Sequence, residues 1–148
     1  MSRKVTGGCQ CGRVRYEAQV EGDDAYFCHC RMCQKATGGF AAAFVQTEPG
    51  TLHWLSEPDW YESSPIARRP FCSACGTPLG FHFADGGGKP DVTFGSLDDP
   101  TPFRPVAHAG AESLHEAFLD TRDLPRMSSS TTESVAKRWK AIGREVPD

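Results

Sequence analysis

The feature that most constrains this chain is the spacing of its cysteines. All seven fall in three short clusters: Cys9-Gln10-Cys11, Cys28-His29-Cys30-Arg31-Met32-Cys33 and Cys72-Ser73-Ala74-Cys75. In Cys-x-Cys and Cys-x-x-Cys, one tight loop can turn both thiolates onto a single metal ion. Disulfide geometry is met by Cys-x-Cys only with strain. Seven thiols also leave one over in any fully bridged scheme. Two tetrahedral zinc sites would take eight ligands, so seven thiols divide as four and three. That gives one closed site and one with a position to spare; closed sites hold structure and open ones do chemistry.

The 148 residues suit a single domain with its own core. Fifteen glycines and eleven prolines, with few long helical periods, predict a mostly β, turn-rich chain. No apolar run is long enough to span a membrane, and no secretory signal is read at the N-terminus. Clustered free thiols fit a reducing compartment, so the expectation is a cytoplasmic protein with no membrane partner. Formal net charge is −3 with neutral thiols. Seven thiolates holding two Zn²⁺ would lower it by three more, to about −6. So acidic a protein lacks the basic face that binding nucleic acid requires.

Read in order, Val14, Tyr16, Ala18 and Val20 alternate with polar neighbours, the pattern of a half-buried strand with Arg13 and Arg15 on its solvated face. Ala25-Tyr26-Phe27 leads as a short strand into the central thiols. Residues 34–39 read as a turn of helix and a loop, and Phe40 to Val45 as a buried strand. Further strands are expected over 51–55, 60–63, 79–83 and 92–94. Trp54, Trp60 and Tyr61 read as core or pocket wall, since no basic stripe accompanies them. Asp85-Gly86-Gly87-Gly88-Lys89-Pro90 is a hairpin loop, not a phosphate cradle, because a strand follows it. Residues 105–127 show no strong period. Ser130-x-x-Glu133 resembles a capping box before a short helix that carries Val135, Trp139 and Ile142 on one face. The expected organisation is a zinc-binding domain over 1–127, then a polar linker and a docked C-terminal helix over 128–148.

The glycine-flanked pairs Cys9/Cys11 and Cys72/Cys75 read as two zinc knuckles sharing one structural ion. Cys28, Cys30 and Cys33 are left to hold a second. A histidine would close that site. His29 lies between two ligands and would point away from their metal, while His53, His82, His108 and His115 stay open as alternatives. An open Zn(Cys)₃ site suits a thiol substrate, which zinc would hold as thiolate at neutral pH. One of these thiolates could instead attack an electrophile itself.

Gly7-Gly8-Cys9-Gln10-Cys11-Gly12 with Val14-Arg15-Tyr16, the run from Cys28 to Lys35 with Gly38, and Phe71-Cys72-Ser73-Ala74-Cys75-Gly76-Thr77 with Leu79 resemble the glutathione-dependent formaldehyde-activating family, which includes centromere protein V. Residues 95–100 and 123–126 are weaker matches. The resemblance implies a β-tent fold of packed antiparallel sheets with two Zn²⁺ per chain. It places the structural zinc on Cys9, Cys11, Cys72 and Cys75, and the catalytic zinc on Cys28, Cys30 and Cys33. It also implies a carbon–sulfur lyase of the S-(hydroxymethyl)glutathione synthase type, with glutathione as co-substrate and formaldehyde or another small aldehyde as its partner. The two carboxylates of glutathione would need cations at the mouth. Arg31 and Lys35, within or beside the thiol loop, and Arg68 and Arg69, just before the knuckle, are the cations at hand; each reads as surface charge before anchor, with Lys35 preferred because the resemblance includes it and Arg31 carried beside it. The chain departs from the family at His115-Glu116-Ala117-Phe118, where an Ala-Pro-Trp turn is common. The rival expectation is a non-catalytic zinc module for protein interaction, and a thiol redox protein is a third. Either a single chain or a homo-oligomer is compatible.

Overall fold

The computed structural model describes residues 1–147. They form two compact units, residues 1–115 and the segment from 116 onward. The first holds β1 (Ser2–Gly8), β2 (Arg15–Glu21), β3 (Asp24–Cys28), α1 (Arg31–Thr37), β4 (Ala42–Gln46), β5 (His53–Trp54), β6 (Asp59–Ser64), β7 (Ala67–Phe71), β8 (Gly80–Phe83), β9 (Asp91–Thr93) and β10 (Arg104–Ala109). The second carries short 3₁₀ turns and α2 (Glu133–Ala141). The expected mostly β fold is thus what forms, in two sheets ordered β1-β2-β5 and β10-β3-β4-β9-β8-β7-β6.

Alternation in β2 does what its sequence predicts. Val14, Tyr16, Ala18 and Val20 are each no more than 2% exposed and face the larger sheet. There Val14, Tyr16 and Val20 meet Ala25, Val45, Leu79 and Val92 in the main core, which Cys9 and Cys72 also join. Tyr16 carries its hydroxyl into this core and satisfies it on Ser96 Oγ at 2.8 Å. Burying apolar side chains between two sheets is the main favourable term holding them together.

Pairing within the sheets is antiparallel with one exception. β10 runs parallel to β3, with a register shift between Pro105 and Ala107. This edge strand lies in the stretch without a readable period, because residues 104–108 are all exposed and no apolar alternation marks them. Two further expectations change. The strand expected over 51–55 shortens to His53–Trp54, and the capping box does not form: Thr132 is the N-cap of α2 without a side-chain bond, while Ser128 Oγ accepts from Thr131 N, capping the preceding 3₁₀ turn.

Candidate metal and substrate site

The two faces of the larger sheet carry different thiols. On β3 the face that holds Tyr26 and Cys28 is opposite to that of Ala25, which enters the main core. Across the sheet, the registers Tyr26↔Phe44, Cys28↔Ala42, Phe44↔Thr93, Phe81↔Asp91 and Tyr61↔Arg69 put all of these residues on the Cys28 side. Phe44 and Cys33 sit there in a second, smaller core with Tyr26, Cys28, Cys30 and Phe81 against it.

The four thiols of Cys9, Cys11, Cys72 and Cys75 converge, with all sulfurs within 4.8 Å of one another. Adjacent pairs measure 3.6 Å (Cys9–Cys11) and 3.8 Å (Cys11–Cys72). A tetrahedral centre with Zn–S bonds of about 2.3 Å spaces its sulfurs by about 3.8 Å, so this donor set fits a closed zinc site. Each knuckle ends on a positive-φ glycine, Gly12 at 80° and Gly76 at 80°, which lets the chain reverse around the sulfurs. N–H groups aim at the cluster: Val14 N donates to Cys9 Sγ at 3.2 Å and Arg13 Nε to Cys72 Sγ at 3.4 Å. Arg13 also pairs with Asp59, so it is a clamp on the cluster and not the free strand-face charge its alternation predicts. Hydrogen bonds from Thr77 hold the Cys75 thiol down at about 5, an acidity suited to a metal ligand.

Cys28, Cys30 and Cys33 also converge within 4.8 Å, and among the described residues no histidine, cysteine, aspartate or glutamate joins them as a fourth. Cys30 is the N-cap of α1, its Sγ accepting from Cys33 N at 3.4 Å, so the short helix turns Cys33 back over Cys28. Burial pushes the Cys33 thiol up to about 12, even though Arg69 Nη2 donates to its sulfur at 3.3 Å. The donor set is three soft sulfurs with N–H groups aimed at them, which fits zinc with one position left over.

His29 points away from the thiols, as expected for a residue between two ligands. It is fully buried, and its Nε2 lies 2.8 Å from His108 Nδ1. The loop that carries it is buttressed by the end of β10 and the segment after it. His29 N donates to Ala109 O at 2.9 Å, and Gln34 Nε2 donates to His29 O at 2.7 Å and Ser113 O at 3.0 Å. Gly110 has φ of +60°, and a Cβ there would lie 2.6 Å from Cys30 N.

On the same sheet face opens a cavity of about 420 Å³; none of the three cysteines lines it, and it adjoins them through Phe44, which packs in their small core, and Arg69, which bonds Cys33. Lys35 lines it from α1, Tyr61 from β6, Arg69 and Phe71 from β7, Phe44 and Thr93 from the sheet floor. No aspartate or glutamate among the described residues lines it. Of the two expected anchors, Lys35 therefore faces the cavity. Arg31 does not line it; it is exposed and its guanidinium donates to Gln34 Oε1. Arg68 is exposed and stacks over Trp60, with its guanidinium carbon 4.2 Å from the ring centroid.

Arg69 overturns its sequence reading. It is only 8% exposed, lines the cavity and lies 5.1 Å from the Phe81 ring centroid. The signal was present in the sequence: Ala67, Arg69 and Phe71 alternate with Arg68 and Pro70, so only one of the two arginines shares the face of the apolar pair.

Comparison with known proteins agrees with these clusters. The family model described as glutathione-dependent formaldehyde-activating enzyme matches residues 4–113. A Schizosaccharomyces pombe protein described as an uncharacterized lyase is 31% identical over 80 residues, which make up 54% of this chain. The match spans 58% of that relative's length. The crystal structure of a Rhodobacter sphaeroides protein superposes with a TM-score of 0.58 at 21% identity, covering 70% of this chain and 99% of the other, a likeness of fold.

Proposed function

The chain belongs to the glutathione-dependent formaldehyde-activating enzyme family, and we propose that it is a zinc-dependent carbon–sulfur lyase acting on a glutathione-type thiol adduct of formaldehyde or another small aldehyde. One observation carries this reading: three converging thiols, with no fourth ligand among the described residues, joined through Arg69 to a cavity lined by cations and no carboxylate. The relative described as a lyase supports the same reaction class.

In this reading Cys9, Cys11, Cys72 and Cys75 hold a structural zinc, and Cys28, Cys30 and Cys33 hold the second. Zinc with an open position lowers the pKa of a bound thiol and supplies a thiolate at neutral pH. The protein's residues do the rest. Phe44 and Phe71 give the cavity apolar walls that would shield a substrate bound there from water. Lys35, on the exposed side of α1, receives a carboxylate of the thiol and orients it. The Arg69 N–H on Cys33 Sγ favours the anionic form of that ligand.

Native mass spectrometry of fresh protein with and without glutathione tests this. The expected result is two zincs per chain and a saturable glutathione adduct that disappears in Cys30→Ser. Thiol-dependent turnover of formaldehyde that is unchanged in Cys30→Ser would refute the mechanism.

A further inference from the structure

Arg69 is a buried cation without a carboxylate. Among the described residues no aspartate or glutamate lies within ion-pair distance of it. One N–H is committed, Nη2 to Cys33 Sγ at 3.3 Å, while Nε is buried with no hydrogen-bond partner. Burying a charged donor group is costly unless it is paired, and an orphaned buried N–H on such a group is a strong demand for an anion or acceptor. Nε itself is closed off from solvent, so it is the remainder of the guanidinium, where Arg69 lines the cavity, that an anion can reach.

The position of Arg69 narrows what that anion is. A guanidinium is a rigid planar fork, so an edge fixed on Cys33 Sγ leaves the others within one small group's reach of the three sulfurs. A carboxylate at the far end of a glutathione-sized thiol lies too many bonds from its sulfur; Lys35, a separate cation on α1, is the group left for it. An oxygen on the carbon attached to the sulfur is the right distance away. Phe81, against the guanidinium, keeps the fork from swinging.

We propose that Arg69 is a catalytic, oxyanion-receiving residue: its guanidinium, anchored on Cys33, takes the oxygen borne by the carbon that joins or leaves the substrate sulfur. This rests on the lyase reading above. In the forward step the thiolate sulfur donates a pair to the carbonyl carbon, the S–C bond forms and the carbonyl π pair moves onto oxygen. That alkoxide then takes up the equivalent of the proton the thiol lost, giving S–CH₂–OH. The reverse step breaks the same bond and returns the aldehyde and thiol. Arg69 stays protonated throughout and stabilises the charge as it develops on oxygen.

The test uses the zinc-loaded full chain, Arg69→Met and Arg69→Lys. Zinc content is read by native mass spectrometry, and the binding of mercaptoacetate and 2-mercaptoethanol by calorimetry. Mercaptoacetate sets an anionic oxygen a few bonds from its sulfur; 2-mercaptoethanol sets a neutral one there. Wild-type protein is expected to prefer mercaptoacetate by roughly 10- to 100-fold, the worth of a charge-assisted hydrogen bond. Arg69→Met should lose the preference with both zincs retained, and Arg69→Lys, which keeps the charge without the fork, should retain part of it. With glutathione and formaldehyde, kcat should fall roughly 10²- to 10³-fold in Arg69→Met while KM for glutathione moves by no more than about threefold. A preference that survives in Arg69→Met, or its absence from wild type, overturns the proposal. So does loss of zinc from both variants, which would make Arg69 a support for the ligands. Wild-type turnover that both variants keep in full refutes Arg69 alone. An Arg69-dependent anion preference without formaldehyde turnover keeps the anion site and refutes the formaldehyde reading.

Discussion

The two cysteine clusters should differ sharply in what they contribute to stability, and chain connectivity sets the difference. Cys11 and Cys72 are 61 residues apart in sequence, so an ion held between their loops closes a long segment. By the cross-link relation for a loop of that length, the entropy removed from the unfolded chain is worth about 4 kcal/mol at room temperature. Cys30 and Cys33 are three residues apart, and the helical turn between them already holds the sulfurs together. The logarithmic dependence of closure on loop length makes that second link weaker by roughly 2–3 kcal/mol. Cys9→Ser, by releasing the ion and with it the link from Cys11 to Cys72, should lower the unfolding free energy of the protein by about 4 kcal/mol, while Cys30→Ser costs about 1–2 kcal/mol. Serine keeps an acceptor for Val14 N, so the comparison is between lost links and not between lost packing. The assay is urea unfolding by tryptophan fluorescence, with zinc counted in each variant. For a chain of this size the Cys9→Ser midpoint should drop by about 2 M, against less than half of that for Cys30→Ser. Equal losses, or a larger loss for Cys30→Ser, would show that the four-thiol site is not the staple.

Two acid groups give pH signatures of opposite sign. Asp98 is held at about 2, first by Arg15 and then by Thr6, and its side chain is 44% exposed. Its contribution is present above the free-carboxylate range and is lost as pH falls through about 2. Solvent screening limits it to about 1 kcal/mol, and Asp98→Asn should flatten that part of the acid limb in a pH series of denaturant melts. Asp91 is pushed up to about 7 by burial, against the opposing hydrogen bond from Tyr26. The folded protein then holds a proton that the unfolded chain releases, so stability declines as pH rises towards and through about 7. Asp91→Asn should remove a decline on the order of 4 kcal/mol; a decline that persists in this variant would place its origin elsewhere.

Local signals made much of this legible in the sequence. Cysteine spacing and flanking glycines divided the thiols into the two groups that converge, and period-two alternation gave β2 and its buried face residue by residue. The family likeness read from the motifs matches the family to which the chain belongs. What escaped was information carried by pairing between distant segments. β10 has no apolar alternation because it is an exposed edge, yet residues 109–113 brace the thiol loop through His29 and Gln34. Arg31 and Lys35 are equivalent as charges in the sequence; only the turn of α1 separates the one that lines the cavity from the one that does not. Arg68 and Arg69 were treated alike for the same reason.

That last pair shows how the fold links its two sulfur clusters. Successive side chains of a strand point to opposite faces, and the chain along β7 uses this to deliver Arg69 and Phe71 to the cavity and the next residue, Cys72, to the core between the sheets. A slip of one residue would exchange them, placing a cation in the apolar core and a ligand out of reach of Cys9 and Cys11. The register Asp59↔Phe71, Trp60↔Pro70 and Tyr61↔Arg69 prevents that slip, and Asp59 reinforces it by bonding Arg13 and Ser73 N at the mouth of the four-thiol cluster. Contacts at the four-thiol cluster thus support the register of the strand carrying Arg69. Under the proposed division of roles, the four-thiol site would set the precision of the three-thiol one without touching the substrate.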